Sequence, residues 1–217
     1  MSTFKLLIFD LDGTLIDSKK DIAFSVNLTL KSMDCPQLDE DRIASFVGHG
    51  IGYLLGNCMP PTSKDQIESA KKIFLEHYEN HLYDYTTIYP GVRQSLERLS
   101  FYKKIILTNK PERLSYLCLK GLRMASFFEQ IIGGDTLPQR KPHPSGILQL
   151  KDYYKCQLNE ILMIGDSTID IETARNAGVA HAMVSYGFNK KEELLQTNPE
   201  ILFDNFTQLT DWILEKR

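Results

Sequence analysis

The sequence predicts an α/β protein: a parallel sheet with helices on both faces, and a helical domain inserted after the first strand. Three observations carry that expectation. The short apolar runs are continuous rather than alternating, as strands covered on both faces should be. Helix-length segments separate the later runs, which is the rhythm of parallel strands joined by crossovers. After the first run, about seventy residues show helical patterning with no clear strand, too much for a crossover.

The first strand is expected at Leu6–Phe9, ending on Asp10. From Ile16 to Tyr85 the chain reads as helix, in "DIAFSVNLTLKSM" and "KDQIESAKKIFLEHYENHL". Residues 16–85 are therefore expected to form a helical cap domain, with 1–15 and 86–217 forming the α/β core. "YPGVRQSLERL" resumes the α/β pattern, with Pro90 and Gly91 opening a helix. Further strands are expected at Ile105–Leu107, Ile131–Ile132, Ile161–Ile164, Ala182–Val184 and Ile201–Phe203, with helices over Pro111–Gly121, Pro144–Tyr154 and Thr168–Ala177. Several runs end in a polar residue: Asp10, Thr108, Asp135 and Asp166. Ligands of open α/β sheets bind at the carboxyl ends of strands, so four ends are expected to bring chemistry to one edge.

Composition narrows the partners. In 217 residues, 42% are hydrophobic, enough for a sizeable core, and the formal net charge is -3. No electrostatic case for nucleic acid exists. No run of about 18 apolar residues occurs and the N-terminus lacks a signal-peptide layout, so no membrane partner and a cytoplasmic location are expected. Cys35, Cys58, Cys118 and Cys156 show neither CxxC pairing nor metal-site spacing, as suits free thiols in a reducing compartment.

Four pieces follow one another at expected strand ends or helix starts: "DLDGT" (10–14), "LTN" (107–109), "RKPHP" (140–144) and "GDSTID" (165–170). Folded together they would gather Asp10, Asp12 and Asp166 around one point, facing Lys141. Asp170 would either join them or cap the following helix. Like charges about 4 Å apart cost roughly 1 kcal/mol even in bulk water, and several times that near protein. Clustered carboxylates therefore call for a cation. With no His/Cys set nearby the donors favour a hard ion, and Mg²⁺ suits a site that also takes phosphate.

In that order the four motifs resemble those of the haloacid dehalogenase superfamily. The motifs run from Asp10 to Asp170, and the architecture covers nearly the whole chain. The resemblance implies a Rossmann-like core and a role for each residue. Asp10 would be the nucleophile that forms an aspartyl-phosphate. Asp12 would protonate the leaving alkoxide and then activate water. Thr108 would hydrogen-bond the phosphoryl group, and Lys141 would neutralise charge on Asp10 and the phosphate. Mg²⁺ would sit between Asp10, the backbone carbonyl of Asp12, Asp166 and a phosphate oxygen, with Asp170 holding the surrounding shell. Gly13 would allow a tight turn beside the phosphate, and Asn109 of the second motif joins the expected substrate contacts.

Within the superfamily, "LTNKP", "GGD", "YPGV" and "VGHG" resemble phosphoglycolate phosphatases. By that resemblance the V-G-x-G segment overlooks the site, which makes His49 a candidate substrate contact. The expected function is a Mg²⁺-dependent phosphatase of a small phosphorylated metabolite, 2-phosphoglycolate first, acting as a monomer or homodimer. β-Phosphoglucomutases and pyrophosphatases share the architecture. A non-catalytic phosphate-binding or regulatory module of receiver type is disfavoured, because a receiver is shorter and lacks DxDGT on its first strand.

Other signals point elsewhere. The third glycine of a GxGxxG in "GHGIGYLLG" would fall at Tyr53, so a dinucleotide loop is not expected. His77 and His81 lack a third ligand and the HExxH glutamate. Ser167 in "GDS" has no partner histidine for esterase chemistry.

Overall fold

A computed structural model describes residues 4–216. The chain runs β1 (Leu6–Phe9), β2 (Ile16–Asp17), α1 (Lys19–Ser32), α2 (Glu40–Ala44), α3 (Ile51–Cys58), α4 (Lys64–Asn80), β3 (Thr87–Ile88) and α5 (Val92–Arg98). It continues through β4 (Lys103–Leu107), α6 (Glu112–Gly121), β5 (Gln130–Ile132), α7 (Ser145–Tyr154), β6 (Ile161–Gly165) and α8 (Thr168–Ala177). The last elements are β7 (Ala180–Val184), α9 (Lys191–Gln196), β8 (Leu202–Phe203) and α10 (Phe206–Glu215).

Six strands form one parallel sheet in the order β5-β4-β1-β6-β7-β8. Alternation along β1 assigns its side chains to two layers. Leu7 and Phe9 pack with Val92 and Leu96 of α5, Leu114 of α6, and Phe206, Leu209 and Ile213 of α10. Leu6 and Ile8 pack on the other side with Ile147 and Leu150 of α7 and Ala174 of α8. All four β1 residues are fully buried, which is why the strand is apolar without interruption. The expected α/β class with helices on both faces holds.

The expected strands appear within one or two residues of their bounds, and the differences have physical reasons. β4 begins two residues early because Lys104, buried in the sheet, carries its ammonium to the carbonyls of Leu99 and Tyr102. β7 also begins early, taking in His181, whose Nε2 accepts from the Glu200 N–H. The absence of any strand in 16–85 needs correction: Ile16–Asp17 pairs antiparallel with Thr87–Ile88, a ribbon too short for periodicity to reveal.

Between β2 and β3 the chain forms the four helices α1 to α4. Ser63 caps α4 in a reciprocal capping box with Gln66. Asp21 in α1 is fully buried and accepts from the N–H of Tyr85 and Thr86 and from the Thr86 hydroxyl. This carboxylate fastens the exit from the helices to their entrance. No helix among the described residues is long and apolar enough to cross a membrane, and all four cysteines are free.

Candidate active site

The sheet changes direction at β1, with β4 on one side and β6 on the other. In an open α/β sheet that crevice is where ligands bind. The residue after each of these three strands is Asp10, Thr108 or Asp166. Register sets Thr108 and Asp166 level with each other and one residue beyond Asp10, since Phe9 pairs with both Ile106 and Ile164. Ligand oxygens of Asp10, Asp166 and Asp170 lie within 4.8 Å of one another, all buried.

One oxygen of Asp10, Oδ1, accepts the Leu11 N–H at 2.7 Å and lies 3.0 Å from Lys141 Nζ. No protein hydrogen bond to Oδ2 is found among the described residues. Thus one oxygen fixes the carboxylate and the other is free to react. Asp166 takes the Thr14 hydroxyl at 2.7 Å and the Phe188 N–H at 2.8 Å. Asp170 joins the cluster with both oxygens committed. Its Oδ1 holds Lys141 at 2.6 Å, and its Oδ2 accepts from Ser167 Oγ and N–H. It therefore fills the third position of the α8 capping box, with Ser167 as the cap itself.

These carboxylates are short of positive charge. Burial, with Asp170 and Asp10 nearby, pushes Asp166 up to about 8. Burial pushes Asp10 up to about 6 even though Lys141 works the other way. Burial disfavours the Lys141 ammonium, yet Asp10 and Asp170 carry it above the ordinary lysine value. An all-oxygen, electron-rich, buried donor set fits a hard divalent cation.

Asp12 stands apart from the cluster, tied to Ser18 Oγ at 2.5 Å and Lys110 Nζ at 2.8 Å. Lys110 Nζ also reaches the Tyr78 hydroxyl of α4 at 2.5 Å. The Gly13 N–H is taken by the Ile16 carbonyl, so this glycine serves by its shape. Its φ is +86°, and a Cβ there would lie 2.3 Å from Asp166 Oδ2. Asn109 donates to the Gly48 carbonyl at 2.7 Å and the Lys141 carbonyl at 2.9 Å, joining two loops over the site.

A cavity of about 650 Å³, counting its open mouth, lies between this edge and the helices. Asp10, Asp12, Thr108, Asn109, Lys110 and Asp166 line its floor, and Ile22, Val47, Ile51, Leu54 and Phe74 its roof. Gly48 and Gly50 reach the cavity, whereas His49 is exposed and stacks on Tyr53 at 4.3 Å instead of lining it. Asp135 corrects the expectation of four converging strand ends. Its carboxylate accepts the Glu112 N–H at the start of α6, and it does not line the cavity. His77 and His81 do not converge: His77 meets Ser32 and His81 meets Asp84.

Sequence reasoning missed Lys110, Tyr78, Ser18 and Thr14. Lys110 stood two positions after Thr108 and Thr14 closed the first motif, so both were within sight. Tyr78 had no signal, since only tertiary approach brings α4 to this edge.

Comparison with known proteins fits this geometry. A family model described as haloacid dehalogenase-like hydrolase matches residues 7–184. The chain is 33% identical over 219 residues to a phosphoglycolate phosphatase of Pasteurella multocida, covering 96% of this chain and 98% of that one. It is 31% identical to one from Vibrio parahaemolyticus, covering 95% of each. Among solved structures, a predicted phosphoglycolate phosphatase from Haemophilus somnus 129pt superposes with a TM-score of 0.92 at 32% identity, over 97% of this chain and 98% of that chain. A haloacid dehalogenase-like protein of Streptococcus pneumoniae gives 0.87 at 28% identity, over 98% and 99%. With a match that takes in all four motifs and every strand of the site, the chain belongs to the family of haloacid dehalogenase-like hydrolases.

Proposed function

We propose that this hydrolase is a phosphomonoesterase acting on 2-phosphoglycolate, with the helices α1 to α4 serving as the cap over its core. The supporting observation is the divided state of Asp10: Oδ1 is held by Leu11 and Lys141 while Oδ2 is left without a partner at the cavity floor. Asp10 Oδ2 attacks phosphorus as the bond to the leaving oxygen breaks, and Asp12 gives that oxygen a proton. The product alcohol departs and an aspartyl-phosphate remains. Asp12, now a carboxylate, takes a proton from a water that attacks the same phosphorus. Inorganic phosphate leaves and Asp10 is restored.

Thr108 donates its hydroxyl to a phosphoryl oxygen, and Lys141 offsets charge on Asp10 and the transferring group. Asp10, Asp166 and the Asp12 carbonyl would hold Mg²⁺, with Asp170 fixing Lys141 and the start of α8. When bound, that ion supplies positive charge to the phosphoryl oxygens. The relatives named phosphoglycolate phosphatase support the substrate.

The test is phosphate release from 2-phosphoglycolate, set beside sugar phosphates, nucleotides and pyrophosphate, with Mg²⁺ and with chelator. A preference for phosphoglycolate that chelator abolishes is expected. Metal-dependent release from another member would replace the substrate, and no release from any would overturn the reading.

A further inference from the structure

We infer that Lys110 and Tyr78 recognise an anionic leaving group, a carboxylate one methylene beyond the scissile oxygen. The inference rests on the phosphatase reading above and deepens it, since it says which chain atoms select the substrate.

Among the described residues lining the cavity Lys110 is the single cationic one, and its side chain is only 3% exposed. An ammonium carries three donors. Two are spent, on Asp12 Oδ1 and on the Tyr78 hydroxyl oxygen, leaving one uncommitted. Tyr78 accepts from Lys110, and burial keeps its phenol protonated, so its own O–H remains to donate. Two donors on adjacent atoms match the two oxygens of a carboxylate.

Position supports the same occupant. Asp12 faces the oxygen that leaves phosphorus, so the atoms bonded to that oxygen lie beside Asp12. Lys110 Nζ is 2.8 Å from that carboxylate, within reach of an anion two bonds further along. Much of the lining around it is apolar, so a negative charge on the leaving group finds its countercharge in Lys110. The two halves come from different parts of the fold, Lys110 from the loop after β4 and Tyr78 from α4. The recognition site is complete only with the helices over the edge.

The experiment compares kcat/KM for 2-phosphoglycolate with that for 2-hydroxyethyl phosphate, which has the same length and a hydroxymethyl group in place of the carboxylate. Wild-type protein is expected to prefer phosphoglycolate at least a hundredfold. In Lys110→Met the ratio is expected to fall tenfold or more, through KM for phosphoglycolate. Ser18→Ala loosens Asp12 without touching the cation, so it should slow both substrates and keep the ratio within threefold. Should Lys110→Met fail to fold, Tyr78→Phe removes one hydroxyl and is expected to lower the ratio at least threefold. A ratio that stays above these marks in the folded variant, or one that falls as far in Ser18→Ala, overturns the inference and leaves the phosphatase reading intact. Wild-type protein that hydrolyses neither ester overturns both.

Discussion

At the scale of single residues, Asp166 and Asp10 link the chemistry to stability. Their carboxyls are raised to about 8 and about 6, from ordinary values near 4. A group whose folded pKa is raised binds protons more tightly in the native state than in the unfolded chain. Its stabilising contribution is complete below pH about 4 and is lost as pH climbs through the folded values. Metal-free protein should therefore lose stability between about pH 4 and 8, and Mg²⁺ should recover it. Thermal unfolding at several pH values, with Mg²⁺ and with chelator, is expected to show a Tm gap that widens towards pH 8; a gap independent of pH would contradict this. Gly13 is the other exacting position. Gly13→Ala forces a side chain onto φ +86° and a Cβ to 2.3 Å from Asp166 Oδ2. The backbone alone costs about 1 kcal/mol, and displacing Asp166 should lower kcat/KM about a hundredfold. Asp10, Asp12, Thr108, Lys141 and Asp166 were legible because each sits in a short motif at a strand end or loop. Asp135 misled for the same reason: a polar residue after an apolar run also serves to hold a neighbouring helix N-terminus, as it does at Glu112.

Individual elements show where the sequence speaks and where it falls silent. β1, β6 and α8 were readable almost to the residue, because strands buried on both faces and a capped helix leave strong patterns. β2 and β3 left none, being two residues each and recognisable only once paired with each other. Nor could sequence reveal Asp21, an acidic residue on the first turn of α1 that ordinarily reads as a favourable helix-dipole charge. In the fold it is fully buried and receives two backbone N–H groups and a hydroxyl. Asp21→Ala would orphan those donors, at about 1–3 kcal/mol for each left without a partner. Urea unfolding should show a loss of at least about 2 kcal/mol. A change below about 0.5 kcal/mol would mean that water replaces the carboxylate and that the fastening is dispensable.

The whole molecule sets helices over the carboxyl edge of a sheet, and among the described residues three side-chain polar links tie the two. Lys110 meets Tyr78, Asn109 meets the Gly48 carbonyl, and Arg113 pairs with Glu79 through both guanidinium nitrogens. The Arg113 pair is exposed and contributes little, whereas the Lys110 bond is buried and the Asn109 bond part-buried, both at the candidate site. On the proposed reading, a roof in this place would exclude water from the reacting phosphoryl group. In the proposed mechanism Asp10 forms a covalent intermediate that Asp12 then helps to hydrolyse, and p-nitrophenyl phosphate separates these roles. Its leaving group departs without a proton, so Asp12 is needed only for the second step. The most direct measurement is the p-nitrophenol burst on rapid mixing with Asp12→Asn and with Asp10→Asn, both with Mg²⁺. A burst of one equivalent per chain followed by slow turnover is expected in Asp12→Asn, and no burst or turnover in Asp10→Asn. Turnover surviving in Asp10→Asn would contradict that mechanism.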